Sequence, residues 1–98
     1  MSTKYKDSDI DLLFTAILEL NSIDECYAFF EDLCTASEIK EMSKRLVAAK
    51  MLNDNYIYST VAERTGLSTA TISRVNRCLK FGDSGYAKIL ERIDRRHK

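Results

Sequence analysis

Proline is absent from the sequence, and glycine occurs only three times in 98 residues. These two residues mark most turns and helix breaks, so little of the chain can be turn. No run alternates apolar and polar residues in the manner of a half-buried strand. We therefore predict an all-α protein of about six helices, and at this length we expect residues 1–98 to form a single domain.

The chain also lacks any run of the ~20 apolar residues that span a membrane. Its N-terminus turns acidic after two lysines instead of continuing into an apolar signal core. Both absences predict a cytoplasmic protein that does not contact membranes. Cys26, Cys34 and Cys78 are odd in number and contain no CxxC pair, so we interpret them as buried thiols in a reducing compartment.

Side chains for catalysis are scarce as well. The single histidine, His97, lies next to the end of the chain in the basic segment RRHK. No serine or cysteine has an evident base partner, and neither a phosphate loop nor a metal-ligand cluster is present. The sequence therefore predicts no enzyme, no metal site and no cofactor. We interpret His97 as part of a basic tail that could contact phosphates.

Charge is present in quantity but sums to zero. Up to residue 38 there are two basic residues against nine acids, and from residue 39 onward there are 13 basic residues against six acids. A chain with an acidic half and a basic half can present a basic face to phosphates although its net charge is zero. The overall charge therefore does not exclude a nucleic-acid partner.

Six segments carry apolar residues at helical spacing, and we predict helices over residues 9–20, 22–34, 35–53, 58–65, 69–79 and 86–95. Ser22 with Glu25, and Thr35 with Glu38, have the S/T-x-x-E form of a capping box at a helix start. The first two predicted helices carry more apolar residues than we expect for a pair of helices on the protein surface. We expect them to form the core of a homodimer.

Residues 58–79 fit a helix-turn-helix, although a plain helical hairpin is the alternative. Ala62 supplies a small residue where two steeply crossing helices approach, and Gly66 supplies a residue that accepts positive φ in the turn. Ser68 is a good N-cap for the second helix. The residues that would bury this helix against the first are Leu67, Ile72 and Val75, and Leu79 is expected to be buried on the same side.

The other side of the second helix suits DNA. From Arg64 to Lys80 there are four basic residues and no acid. A major groove admits such a helix, small side chains allow close approach, and arginine matches guanine or phosphate. The predicted DNA-binding residues are Arg64, Ser68, Thr69, Ala70, Thr71, Ser73, Arg74, Arg77 and Lys80, with Lys44 and Lys50 as further phosphate contacts.

Two segments, LCTASEIKEMSKRLVAAKML and VAERTGLSTATISRVNRCLKFGDSGYAKILERI, resemble the Trp repressor superfamily and, within it, the small YerC/YecD-type group. The resemblance covers roughly residues 10–95, and TATISR is its most specific part. It implies an intertwined six-helix homodimer that regulates transcription through the helix-turn-helix, with repression as the expected mode.

The resemblance also implies positions for a small effector. Thr35 matches a threonine near the ligand carboxylate, and Arg45 and Arg74 match two arginines that flank its ring. Cys78 stands where the Trp repressor has a nearby serine. Val75 replaces a glycine and would fill part of the ligand space, which disfavours tryptophan and leaves open whether another small co-regulator binds.

Two functions are consistent with these observations. The first is a dimeric, sequence-specific DNA-binding regulator that uses the helix-turn-helix on double-stranded DNA. The alternative is a protein-interaction adaptor whose basic helix-turn-helix face docks an acidic partner without specific DNA binding. The strongly acidic N-terminal half and the zero net charge favour the alternative.

Overall fold

A computed structural model describes residues 7–96, which leaves His97 and the N-terminal lysines outside the described residues. Within this range the chain forms six α-helices and no strand. Each end lies within two residues of the prediction, so the all-α fold is confirmed. The helices are α1 (Ser8–Leu18), α2 (Ile23–Leu33), α3 (Ala36–Asn53), α4 (Tyr58–Thr65), α5 (Thr69–Phe81) and α6 (Gly85–Arg96).

The chain divides into two compact units between Ile39 and Lys40. In the N-terminal unit, side-chain caps determine where helices begin. The Asp7 carboxylate accepts a hydrogen bond from the Ile10 amide at 2.7 Å and so starts α1. The Ser22 hydroxyl accepts from the Glu25 amide at 3.1 Å and starts α2. The Glu25 carboxylate reaches back to the Asn21 amide at 2.9 Å, one residue before the position that the capping box predicts.

The second capping box forms at the start of α3. The Glu38 amide donates to the Thr35 hydroxyl at 3.2 Å, and the Thr35 amide donates to the Glu38 carboxylate at 2.8 Å. The backbone hydrogen bond from Thr35, reinforced by its hydroxyl, stabilises the charged carboxylate and lowers the pKa of Glu38. The Thr35-x-x-Glu38 prediction is therefore confirmed.

Neither α1 nor α2 contains a buried residue, although both are rich in large apolar side chains. Leu18 is 82% exposed, Ile23 75% and Leu12 70%. Large exposed apolar patches mark interaction sites in proteins. Several large apolar side chains of the N-terminal helices are thus uncovered in a single chain.

The C-terminal unit has its own hydrophobic core. α5 packs against both α4 and α6. Every helix of this unit and the turn before α5 contribute buried residues, namely Ala48, Ala49, Leu52, Val61, Leu67, Ile72, Val75 and Leu90. Burying a Val, Leu or Ile side chain contributes about 1.5–3 kcal/mol. This core holds α4 and α5 in place.

The prediction of three buried thiols is wrong for Cys78, which is exposed, whereas Cys26 and Cys34 are half-buried. On α5, Cys78 lies about 90° around the helix axis from the direction of Ile72 and Val75. The side chain therefore misses the core. Leu79, also expected to be buried, is half-buried and packs against the core.

Among residues 7–96, no helix is both long and apolar enough to cross a membrane. No group of three or more His, Cys, Asp or Glu side chains in this range could hold a metal ion.

Candidate nucleic-acid interface

The turn between α4 and α5 depends on the backbone of Gly66. This residue has φ of 75° and ends α4, with its amide bonded to the Ala62 carbonyl at 2.8 Å. A Cβ added to Gly66 would meet no atom within 4 Å. Glycine is therefore favoured here by backbone conformation, not by lack of space. The predicted positive φ is confirmed, and Ala62 packs half-buried against the core.

Thr65 stabilises the same turn through a buried hydroxyl that the sequence reasoning missed. The hydroxyl donates to the Val61 carbonyl at 2.8 Å and accepts from the Leu67 amide at 3.2 Å. Thr65 is only 6% exposed. A threonine just before the turn glycine was the available signal, since threonine side chains commonly bond to nearby backbone groups.

Ser68 fixes the start of α5, as predicted. Its hydroxyl accepts a hydrogen bond from the Thr71 amide at 3.2 Å and lies 3.0 Å from the Thr71 hydroxyl. Ile72 is fully buried and Val75 is 3% exposed, so the opposite side of α5 is anchored to the core. The cap and the anchor together orient α5 within the C-terminal unit.

Most predicted DNA-binding side chains lie on the surface. Thr71 and Ser73 are half-buried, and the exposed ones are Arg64, Ser68, Thr69, Ala70, Arg74, Arg77 and Lys80. Within residues 7–96, none of the four basic side chains in this set forms an ion pair. Lys44 is exposed, whereas Lys50 pairs with Asp54 at 3.3 Å. The surface formed by the predicted DNA-binding residues therefore carries basic side chains that neighbouring carboxylates do not neutralise.

A cleft of about 340 Å³ opens along one flank of α5. It brings together three of the four predicted effector residues, and its lining is Arg45, Thr71, Arg74, Val75, Cys78 and Tyr86. The Arg45 guanidinium lies 3.7 Å from the Glu41 carboxylate. Thr35, the fourth predicted residue, lies in the N-terminal unit and is bonded to Glu38.

Tyr86 was not expected at this cleft. It lies in the first turn of α6, and the sequence around it shows only the apolar periodicity of that helix. Its proximity to Arg74 follows from how α6 packs on α5. No local signal in the sequence could have identified it.

The family model described as Trp repressor protein matches residues 8–94. The uncharacterized protein YerC of Bacillus subtilis (strain 168) is 46% identical over 90 residues, which cover 92% of this chain and 86% of YerC.

Solved structures give the same result. The crystal structure of a TrpR-like protein from Eubacterium eligens superposes with a TM-score of 0.89 at 49% identity and covers 95% of this chain and 96% of that one. A crystal structure of a candidate Trp repressor from Staphylococcus aureus has a TM-score of 0.89 at 47% identity, covering 96% and 95%. With six helices in residues 7–96, among them α4 and α5 joined by the turn at Gly66, the chain belongs to the Trp repressor family.

Proposed function

We propose that the protein is a dimeric, sequence-specific DNA-binding regulator of transcription, and that it acts as a repressor. The observation that carries this proposal is the outward face of α5, which is basic, free of acids and anchored from behind by Ile72 and Val75. Family membership supports a regulator and not an enzyme. Acting on chromosomal DNA, the protein would work in the cytoplasm.

In this proposal α5 enters the major groove of double-stranded DNA. Small side chains at Thr69 and Ala70 let the first turn approach the base edges. The free amides of that turn suit a backbone phosphate. Arg64 and Lys80, exposed and without ion-pair partners among residues 7–96, would contact phosphates.

We propose that a second copy of the chain covers the apolar side chains of α1 and α2. Leu12, Leu18 and Ile23 are each at least 70% exposed in the single chain. Leaving such side chains in water forgoes about 1.5–3 kcal/mol each. A symmetric dimer would bury these side chains and present two α5 helices to successive major grooves, about one helical turn apart.

We propose the cleft beside α5 as the place where a small co-regulator would act, if the protein uses one. Arg45, Arg74 and Cys78 line it together, which supports three of the predicted effector residues. Thr35 is proposed only from the resemblance. Val75 also lines the cleft, and its branched side chain takes space that an indole ring would need, so tryptophan is not the expected occupant.

The test is binding to duplex DNA at several salt concentrations, measured by fluorescence anisotropy. We expect affinity that falls steeply with salt, because cations on the protein displace ions condensed on DNA. Arg74→Ala and Thr71→Ala should weaken binding to the preferred sequence, whereas Arg92→Ala on α6 serves as a charge-matched control. Unchanged affinity and selectivity in both α5 variants would contradict the assignment of this helix.

The second candidate function is an adaptor whose basic face docks an acidic protein. The observation that favours it is that residues 7–39 carry nine acids and no base. An adaptor with a basic face would also be retained on heparin at low salt, but it would prefer no DNA sequence. Enrichment of one sequence from random duplex DNA, with affinity that falls steeply with salt, supports the DNA-binding function instead.

A further inference from the structure

The two arginines of α5 point in different directions. Residues in an α-helix follow one another at ~100° around the axis. Relative to the mean direction of the buried Ile72 and Val75, Arg77 therefore lies about 170° away, whereas Arg74 lies about 130° away. Arg77 thus projects from the middle of the outward face, and Arg74 projects from one edge of it.

The cleft confirms which edge Arg74 occupies. Thr71, Arg74 and Cys78 line the cleft together with Tyr86 of α6, and Arg77 is not among its lining residues. On the opposite edge, Lys80 lies about 110° from the core direction. Arg77 is therefore the one cation of α5 at the centre of its outward face, with a cation on each side.

The residues near Arg77 at the middle of the outward face of α5 have small side chains. Ala70, seven residues earlier, shares its direction to within about 20°, and both are exposed. Ser73 lies between them near one edge and is half-buried. Because Ala70 and Ser73 have small side chains, the backbone of α5 can approach a DNA groove closely. The long side chain of Arg77 then reaches the base edges on the floor of that groove.

In helix-turn-helix proteins the N-terminal residues of the second helix meet base edges. A long side chain further along the middle of the exposed face extends this contact along the groove, whereas side chains at the edges of the face meet the phosphate walls. Arginine at the middle matches the O6 and N7 acceptors of guanine through two parallel hydrogen bonds. Ala70 and Arg77 are about 10.5 Å apart along the axis, close to three base-pair steps of about 3.4 Å. Arg77 could thus reach a base pair about three steps from the one facing Ala70.

From this placement we propose that Arg77 is the specificity-determining residue that selects a guanine in each half-site of the DNA. The inference rests on the proposed function, because it names a feature of the sequence that α5 binds. Arg77 has no ion-pair partner within residues 7–96. Its guanidinium is therefore available to a base without breaking a contact in the protein.

The experiment is a selection of binding sites from random duplex DNA by the full chain and by three variants. The wild-type protein should enrich a two-fold symmetric motif with one strongly preferred guanine in each half. Arg77→Ala should lose that preference at this position alone. Arg77→Lys should weaken it, because lysine keeps the positive charge but lacks the planar guanidinium that donates two parallel hydrogen bonds. Lys80→Ala, the matched control, should keep the guanine and weaken binding to all sequences alike.

A base analogue then tests the contact itself. Replacing the selected guanine by 7-deazaguanine removes the N7 acceptor, and we expect the wild-type affinity to fall by about 5- to 150-fold. The same replacement should leave the affinity of Arg77→Ala unchanged. Circular dichroism of each variant checks that the helices are intact.

Three outcomes are distinguishable. A guanine that persists in the Arg77→Ala selection, with affinity reduced evenly, overturns the proposal and makes Arg77 a phosphate contact. A selected motif without a symmetric guanine also overturns it, while the DNA-binding function stands. If the wild-type protein enriches no motif, the proposed function itself fails.

Discussion

The hydroxyl of Thr65 accepts a hydrogen bond from the amide of Leu67 at 3.2 Å, across Gly66. The same hydroxyl donates to the Val61 carbonyl at 2.8 Å, and both Thr65 and Leu67 are buried. Where α4 ends, the Thr65 hydroxyl thus accepts the hydrogen bond from the Leu67 amide in place of a backbone carbonyl. The orientation of α5, and with it the proposed DNA-binding face, depends on this turn.

Replacing Thr65 with valine keeps the shape but removes the hydroxyl. The buried Leu67 amide then lacks its partner, and an unsatisfied buried donor costs about 1–3 kcal/mol. We expect the free energy of unfolding, measured in urea, to fall by that amount. Thr65→Ser is the matched control, because it retains the hydroxyl. Equal stability of Thr65→Val and the wild-type protein would show that the bond does not stabilise the turn.

Substitutions at Gly66 test how the backbone conformation of this residue stabilises the turn. Since a Cβ there would meet nothing within 4 Å, the cost of Gly66→Ala comes only from the left-handed backbone, about 1–2 kcal/mol. Gly66→Asn should cost less, because asparagine adopts this conformation more readily. Thermal unfolding of the two variants measures the difference. An alanine variant as stable as the asparagine variant would contradict the assigned cause.

The capping box of α3 predicts a pH dependence. The pKa of Glu38 is lowered from its ordinary value of 4.5, chiefly by the backbone hydrogen bond from Thr35. A carboxyl whose pKa is lower in the folded chain stabilises that chain above the ordinary pKa. The stabilisation disappears as the pH falls below 4.5 and through the lower folded pKa.

Glu38→Gln keeps a side-chain oxygen for the Thr35 amide but does not titrate. We expect unfolding midpoints of the wild-type protein to fall more steeply with acidification than those of Glu38→Gln, so that the two curves converge at low pH. Parallel curves across the acidic range would show that the Thr35 hydrogen bonds do not lower the Glu38 pKa.

The proposed dimer predicts that a charge on α1 separates the copies. Leu18 is 82% exposed in the single chain, and burying a glutamate there against a second copy would be unfavourable. We expect Leu18→Glu to weaken association by at least about tenfold in analytical ultracentrifugation. A monomeric wild-type protein, or a Leu18→Glu dimer of full affinity, would refute the dimer proposal.

The parts of the fold that depend on neighbours in sequence could be predicted. The Thr35–Glu38 box, the Ser68 cap and the positive φ at Gly66 were all expected from residues within a few positions of one another. The apolar periodicity of α5 likewise predicted burial of Ile72 and Val75. These features follow from local backbone geometry and helical spacing.

Features that depend on contacts between helices could not be predicted. Tyr86 lines the same cleft as Arg74 because α6 packs on α5. Cys78 was expected to be buried from its residue type, but its angle on α5 places it at the cleft. The apolar pattern of α1 identifies side chains that are unfavourable in water. It does not identify the surface against which they pack.

The proposed function requires that a two-fold symmetric molecule presents α5 to DNA. Selection of binding sites from random duplex DNA by the wild-type protein tests it most directly. We predict a pseudo-palindromic motif with half-site centres about 10 base pairs apart and an affinity that falls steeply with salt. No enriched motif, together with no binding to duplex DNA at low salt, would contradict the account.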